Sequence, residues 1–202
     1  MMGSKLPAFR WNVANALTLA RLLLIPFFLG LWLKQTPWAT LAALLIFLAA
    51  AASDLLDGYF ARRARQVTVF GQFADPLVDK LLVSAAWLGF VETGELGAAV
   101  VMVLLGREFA VTGLRILAVS QGMVLPASSW GKLKTLTHML LITLILAGSF
   151  WNWPAGWWVL KLSLVWLSVI TSLASALEYF YRCRGLFKQR AEPDNEGDFQ
   201  GN

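Results

Sequence analysis

Two short stretches place carboxylates at helical spacing: Ser53-Asp-Leu-Leu-Asp-Gly-Tyr-Phe-Ala-Arg62 and Gly71-Gln-Phe-Ala-Asp-Pro-Leu-Val-Asp79. On a helix, residues three and four apart are neighbours. Asp54, Asp57, Gly58 and Ala61 therefore share one face, and Asp75 and Asp79 share another. Both stretches adjoin long apolar runs. A carboxylate in hydrocarbon costs roughly 2.5–3.5 kcal/mol on insertion scales, and four close together also repel one another. Such a cluster is expected only around cations. Hard oxygen donors favour Mg²⁺ or Mn²⁺. One ion, or two about 3.5–4 Å apart, would serve displacement at phosphorus. Gly58 and Ala61 leave room for a bulky polar ligand. Taken singly, the aspartates have plainer explanations: Asp75 before Pro76 reads as a helix N-cap, and Asp54 or Asp57 alone as a solvated interfacial residue.

A second polar set lies further along. Arg107, Glu108 and Arg115 interrupt an apolar run, and Lys132 and Lys134 follow in Ser128-Ser-Trp-Gly-Lys-Leu-Lys-Thr135. Intramembrane arginines usually face a cavity. A cationic wall opposite four carboxylates and metal makes sense if a second anion binds there. Plainer readings are an ion pair between Arg107 and an acidic neighbour, and loop lysines acting as membrane anchors.

The elements that must position these groups follow from composition. The chain has 202 residues, 58% of them hydrophobic and 14% charged, against about 45–50% and about 25% in soluble domains. Six apolar runs approach the ~20 residues that a membrane-crossing helix needs: approximately 13–33, 38–60, 73–91, 96–119, 136–150 and 157–181. Lipid offers backbone amides no partner, so each run is expected to be helical. The expectation is an all-α integral membrane protein: six transmembrane helices with a polar pocket open to the cytoplasm.

Residues 1–12 read as a cytoplasmic or interfacial segment, 13–185 as one membrane domain, and 186–202 as a polar cytoplasmic tail. The first run has no cleavage-site pattern and reads as a retained helix. Lys5, Arg10, Arg62, Arg63, Arg65, Lys132, Lys134, Arg182, Arg184, Lys188 and Arg190 collect on one side, which places both termini in the cytoplasm. The net charge of +5 is therefore a topology signal, with no nucleic-acid motif beside it. The single cysteine, Cys183, and the single histidine, His138, read as packing residues, and Glu178 as a partner of cytoplasmic arginines.

The series Asp54-x2-Asp57-Gly58-x2-Ala61-Arg62-x8-Gly71-x3-Asp75-x3-Asp79 resembles the signature of the CDP-alcohol phosphatidyltransferases at every position. That resemblance implies six transmembrane helices and displacement of CMP from a CDP-linked donor by an alcohol. It implies that Asp54, Asp57 and Asp75 hold Mg²⁺ or Mn²⁺, and that Asp79 lies at the metal and acts as general base. It also implies that Gly58, Ala61 and Arg62 border the CMP moiety.

Three further segments, 12–21, 106–115 and 131–135, are similar to the phosphatidylglycerophosphate synthases within that family. They imply CDP-diacylglycerol as donor, with Asn15, Thr18 and Arg21 on the nucleotide side. They imply sn-glycerol 3-phosphate as acceptor, near Arg107, Arg115, Lys132 and Lys134. A bacterial inner (cytoplasmic) membrane setting, contact with membrane lipids, CMP as co-product and a homodimer are likewise implied. The same chemistry on inositol phosphate, serine or phosphatidylglycerol is the nearest alternative. A divalent-cation carrier would use the carboxylates but gives Gly58, Ala61 and Arg62 no task. A purely structural membrane protein leaves the buried charges unexplained.

Overall fold

The computed structural model describes residues 13–64, 69–123, 126, 128–149 and 156–188, all helical apart from short turns. Six helices follow in order: α1 Val13–Trp32, α2 Pro37–Ala64, α3 Val69–Glu92, α4 Ala98–Ser120, α5 Ser129–Gly148 and α6 Trp157–Lys188. Local chemistry sets the breaks. Pro37 occupies the first position of α2, where its missing N–H costs nothing. Gly94 and Gly122 carry the chain out of α3 and α4 at φ +74°, a conformation glycine adopts without a Cβ penalty.

Helical backbone extends past the apolar runs at several ends. One correction concerns α5, whose apolar stretch from residue 136 is preceded by two further turns beginning at Ser129. Lys132 and Lys134, expected between helices four and five, are thus inside α5. The Ser128 side chain accepts from Gly131 N at 3.1 Å and satisfies an N-terminal amide, so α5 starts in polar sequence. Asp75 is no N-cap, because α3 is already helical from Val69.

Contacts between helices fix their relative directions. Trp32 Nε1, at the end of α1, donates to Gly89 O near the end of α3 at 3.0 Å, so these two helices run parallel. Lys161 pairs with Glu95 at one end of α6 and α4. At the other end, Val111, Leu114 and Ala118 pack with Tyr179 and Cys183, so α4 and α6 are also parallel. Ser128 bonds Glu178, setting the start of α5 beside the last turns of α6. The helices α1, α2, α3 and α5 close around Phe28, Trp32, Phe47, Trp87, Phe90 and Leu146, all essentially inaccessible.

The outer surface is apolar as well. Phe27, Leu45, Leu88, Met102, Phe109, Ile116, Trp166 and Leu177 all point outward, a pattern water-soluble monomers avoid. Among the described residues, two helices are long and apolar enough to cross a membrane, Ser129–Gly148 and Trp157–Gly185, with shorter apolar segments at Thr18–Trp32 and Pro37–Ser53.

Candidate active site

A cleft of about 550 Å³ opens between α3, α4 and α5, backed by α6. Its charged lining comes from three helices: Lys80 on α3, Arg107, Glu108 and Arg115 on α4, and Lys132 and Lys134 on α5. The four cations expected to meet an acceptor's anion therefore do line one space. Lys80 joins them, a residue sequence reasoning passed over. Its signal was available, since a lysine inside an apolar run directly after Asp79 needs a polar surrounding.

These cations divide into two groups. Arg107 is buried. Its Nε donates to Ser172 O at 3.1 Å, Nη2 donates to Ser175 Oγ at 2.6 Å, and Nη1 donates to Glu108 Oε2 at 3.0 Å. Lys134 also bonds Glu108, and Lys80 Nζ stands 3.6 Å from its other oxygen. The plainer reading of Arg107, an ion pair with an acidic neighbour, is thus realised together with a place in the cleft. Arg115 and Lys132 are outward-facing and form no ion pair within the described set. Among the described lining residues, five cations stand against one carboxylate, a balance that suits a multiply charged anion.

The supports of this lining come from α6. Ser172 and Ser175 fix Arg107, and Glu178 takes both Ser128 and Arg182, the latter at 2.6 Å. A small cavity of about 60 Å³ adjoins the cleft, lined by Ser84, Trp87 and His138 besides the charged residues. His138 is buried with its ring edge-on to Trp87, centroids 5.4 Å apart. Cys183 is buried too, packed with Val111, Leu114, Ala118 and Tyr179 of α4 and α6. Both therefore pack as expected.

Of the residues expected at the donor, Thr18 and Arg21 are buried on α1. Asp54, Asp57, Gly58, Ala61 and Arg62 lie on the last three turns of α2, and Asp75 and Asp79 on α3. Their backbone is continuous helix, so the two shared faces inferred from spacing exist. The side chains at 15, 54–64, 69–76 and 79 lie outside the described residues. Among the described residues no three or more His, Cys, Asp or Glu side chains group to hold a metal.

The model of the family described as CDP-alcohol phosphatidyltransferase matches residues 11–174, and the chain belongs to that family. Within it, the chain is 37% identical over 182 residues to the CDP-diacylglycerol–glycerol-3-phosphate 3-phosphatidyltransferase of Bacillus subtilis (strain 168), covering 84% of this chain and 94% of that one. The protein of the same name from Pseudomonas fluorescens is 41% identical over 155 residues, covering 74% of this chain and 77% of its own. That of Rickettsia bellii (strain RML369-C) is 30% identical over 181 residues, covering 87% and 97%. A phospholipid-synthesising membrane protein is the class that these relatives and the apolar outer surface define.

Proposed function

We propose that this chain transfers the phosphatidyl group of CDP-diacylglycerol to the C1 hydroxyl of sn-glycerol 3-phosphate, releasing CMP and phosphatidylglycerophosphate. Family membership supports the reaction class. The observation that carries the acceptor is the convergence of Lys80, Arg107, Arg115, Lys132 and Lys134 on one cleft. Glycerol 3-phosphate brings a dianion to that wall, and Arg115 and Lys132 are cations free to meet it. Serine has no phosphate to offer there.

In this reading all six helices cross the bacterial inner membrane, and the cleft opens to the cytoplasm with both termini. Protomers pair as a homodimer. The diacyl tails stay in the bilayer while the headgroup enters between α1 and α2, where Asn15, Thr18, Arg21, Gly58, Ala61 and Arg62 border the cytidine diphosphate. Arg62 suits a bidentate phosphate contact.

Four carboxylates on two helical faces are a donor set that fits Mg²⁺ or Mn²⁺. Asp54, Asp57, Asp75 and Asp79 would hold one or two such ions, which when bound neutralise pyrophosphate charge and polarise the acceptor hydroxyl. Asp79 takes the proton from that hydroxyl. The new bond joins the acceptor oxygen to the donor's β-phosphorus, and the pyrophosphate P–O bond to CMP breaks. The cationic cleft orients the acceptor by its phosphate, and orientation accounts for much of the rate in phosphoryl transfer.

The test is CMP release from CDP-diacylglycerol by the purified protein in lipid nanodiscs, with and without glycerol 3-phosphate and Mg²⁺. Release that requires both, with phosphatidylglycerophosphate as product, is expected. Serine or inositol phosphate outcompeting glycerol 3-phosphate would overturn the acceptor, and Mg²⁺ flux without nucleotide turnover would overturn the reaction.

A further inference from the structure

Glu108 is the one acidic side chain of the cleft lining among the described residues, and it gathers cations from three helices. Arg107 of its own helix, Lys134 of α5 and Lys80 of α3 all reach its carboxylate. The helices α4 and α5 each pack extensively on α6 but not on each other. Across the cleft they are joined by the Lys134–Glu108 pair. A carboxylate so placed sits where an acceptor's anion would sit, on the cations that would receive it.

The three partners are not equally held. Arg107 is locked by Ser172 O and Ser175 Oγ and stays beside Glu108 whatever else happens. Lys134 and Lys80 have no other partner among the described residues, and each carries a flexible four-carbon stem. They can turn away from Glu108 without stranding it, because Arg107 remains as its counter-ion. Removing every partner from a half-buried carboxylate would be costly; removing two of three is not.

We propose that Glu108 is an internal stand-in for the acceptor's phosphate, and that it makes the cleft selective for dianionic over monoanionic acceptors. With the cleft empty, Lys134 and Lys80 rest on Glu108. An entering ligand must take them from it. A dianion attracts a given cation about twice as strongly as a single carboxylate at equal distance, so the exchange runs forward. A monoanion only matches Glu108, and an uncharged alcohol offers nothing. Arg115 and Lys132, without an ion pair among the described residues, make the first contact. Glu108 is thus a specificity-determining residue that acts through Lys134 and Lys80. This rests on the acceptor reading above.

The experiment compares the KM for glycerol 3-phosphate with the inhibition constant of 2,3-dihydroxypropane-1-sulfonate, the same polyol skeleton bearing a monoanion. In Glu108→Gln the sulfonate tightens more than glycerol 3-phosphate does. The ratio of the sulfonate's inhibition constant to the KM of glycerol 3-phosphate falls about tenfold, the scale of one charged hydrogen bond. Glu108→Asp keeps the charge and stays near the wild-type ratio. If Glu108 merely braces α4 against α5, both constants rise together in Glu108→Gln and the ratio holds, which overturns the proposal.

A second measurement needs no variant: the wild-type structure with inorganic phosphate. Lys134 Nζ is expected on the phosphate with Glu108 still on Arg107. Phosphate bound in the cleft while Lys134 remains on Glu108 sinks the idea. If the wild-type protein makes no phosphatidylglycerophosphate from CDP-diacylglycerol and glycerol 3-phosphate, it is the functional reading that fails.

Discussion

Arg107 Nη2 on α4 donates to Ser175 Oγ on α6 at 2.6 Å, and through that bond a cation of the cleft belongs also to the frame of the molecule. Arg107→Ala leaves Ser172 O, Ser175 Oγ and Glu108 each short of a donor. Glu108 keeps Lys134 and Lys80, so the cost lies mainly in the two α6 acceptors left unbonded, about 1–3 kcal/mol each. Thermal unfolding in detergent should show a large loss for Arg107→Ala. Lys132→Ala, from an outward-facing position, should unfold at the wild-type temperature while weakening the acceptor.

Arg115 has no acid partner among the described residues and lines the cleft. Arg115→Ala is expected to raise the KM for glycerol 3-phosphate about tenfold or more, on the scale of a lost charged hydrogen bond, with the KM for CDP-diacylglycerol little changed. Steady-state kinetics varying each substrate separately checks this. An unchanged glycerol 3-phosphate dependence removes Arg115 from the phosphate site.

Asp79 follows Val78 and precedes Lys80, a cleft residue, on α3. Asp79→Asn is expected to lower kcat by roughly 10²–10⁴-fold, the range for a lost general base, while CDP-diacylglycerol still binds. Stripping divalent ions with a chelator should abolish CMP release, and Mg²⁺ or Mn²⁺ should restore it. Full turnover after chelation would contradict the carboxylate centre.

Ser128 caps α5 and bonds Glu178. Ser128→Ala removes both, at a cost of about 0.5–2 kcal/mol for the cap alone. Lys132 and Lys134 sit in the turn it anchors, so the acceptor KM should rise as well, and Ser128→Thr should restore both stability and KM.

Gly89 tests the close approach of α1 and α3. A Cβ there would meet Trp32 Cδ1 at 2.8 Å and Leu29 Cδ1 at 3.0 Å. Trp32 is fully buried and held by its own bond to Gly89 O, so it has little room to move. Gly89→Ala should destabilise by about 1–3 kcal/mol, as overpacking does, with KM values unchanged. Chemical denaturation followed by tryptophan fluorescence reads the effect.

Sequence alone anticipated the all-helical class and the six helices found among the described residues, because long apolar runs favour helices. It also identified the carboxylate series and its family, since Asp54, Asp57, Asp75 and Asp79 carry their meaning in their spacing along one chain. The helix ends were less legible. Hydropathy marks where side chains meet lipid, whereas α5 begins two turns earlier, in polar residues that face a cleft. The acceptor wall was half legible: Arg107, Arg115, Lys132 and Lys134 were visible as costly charges. Which of them is free was decided only by tertiary contacts between residues 26 to 68 positions apart. Ser172 and Ser175 turn Arg107 into a fixed strut, and Glu108 gathers Lys80 and Lys134, because α6 lies parallel to α4 and antiparallel to α5. Hydrogen-bond partners over that separation leave no periodic trace along the chain, so only the packed helices could assign them.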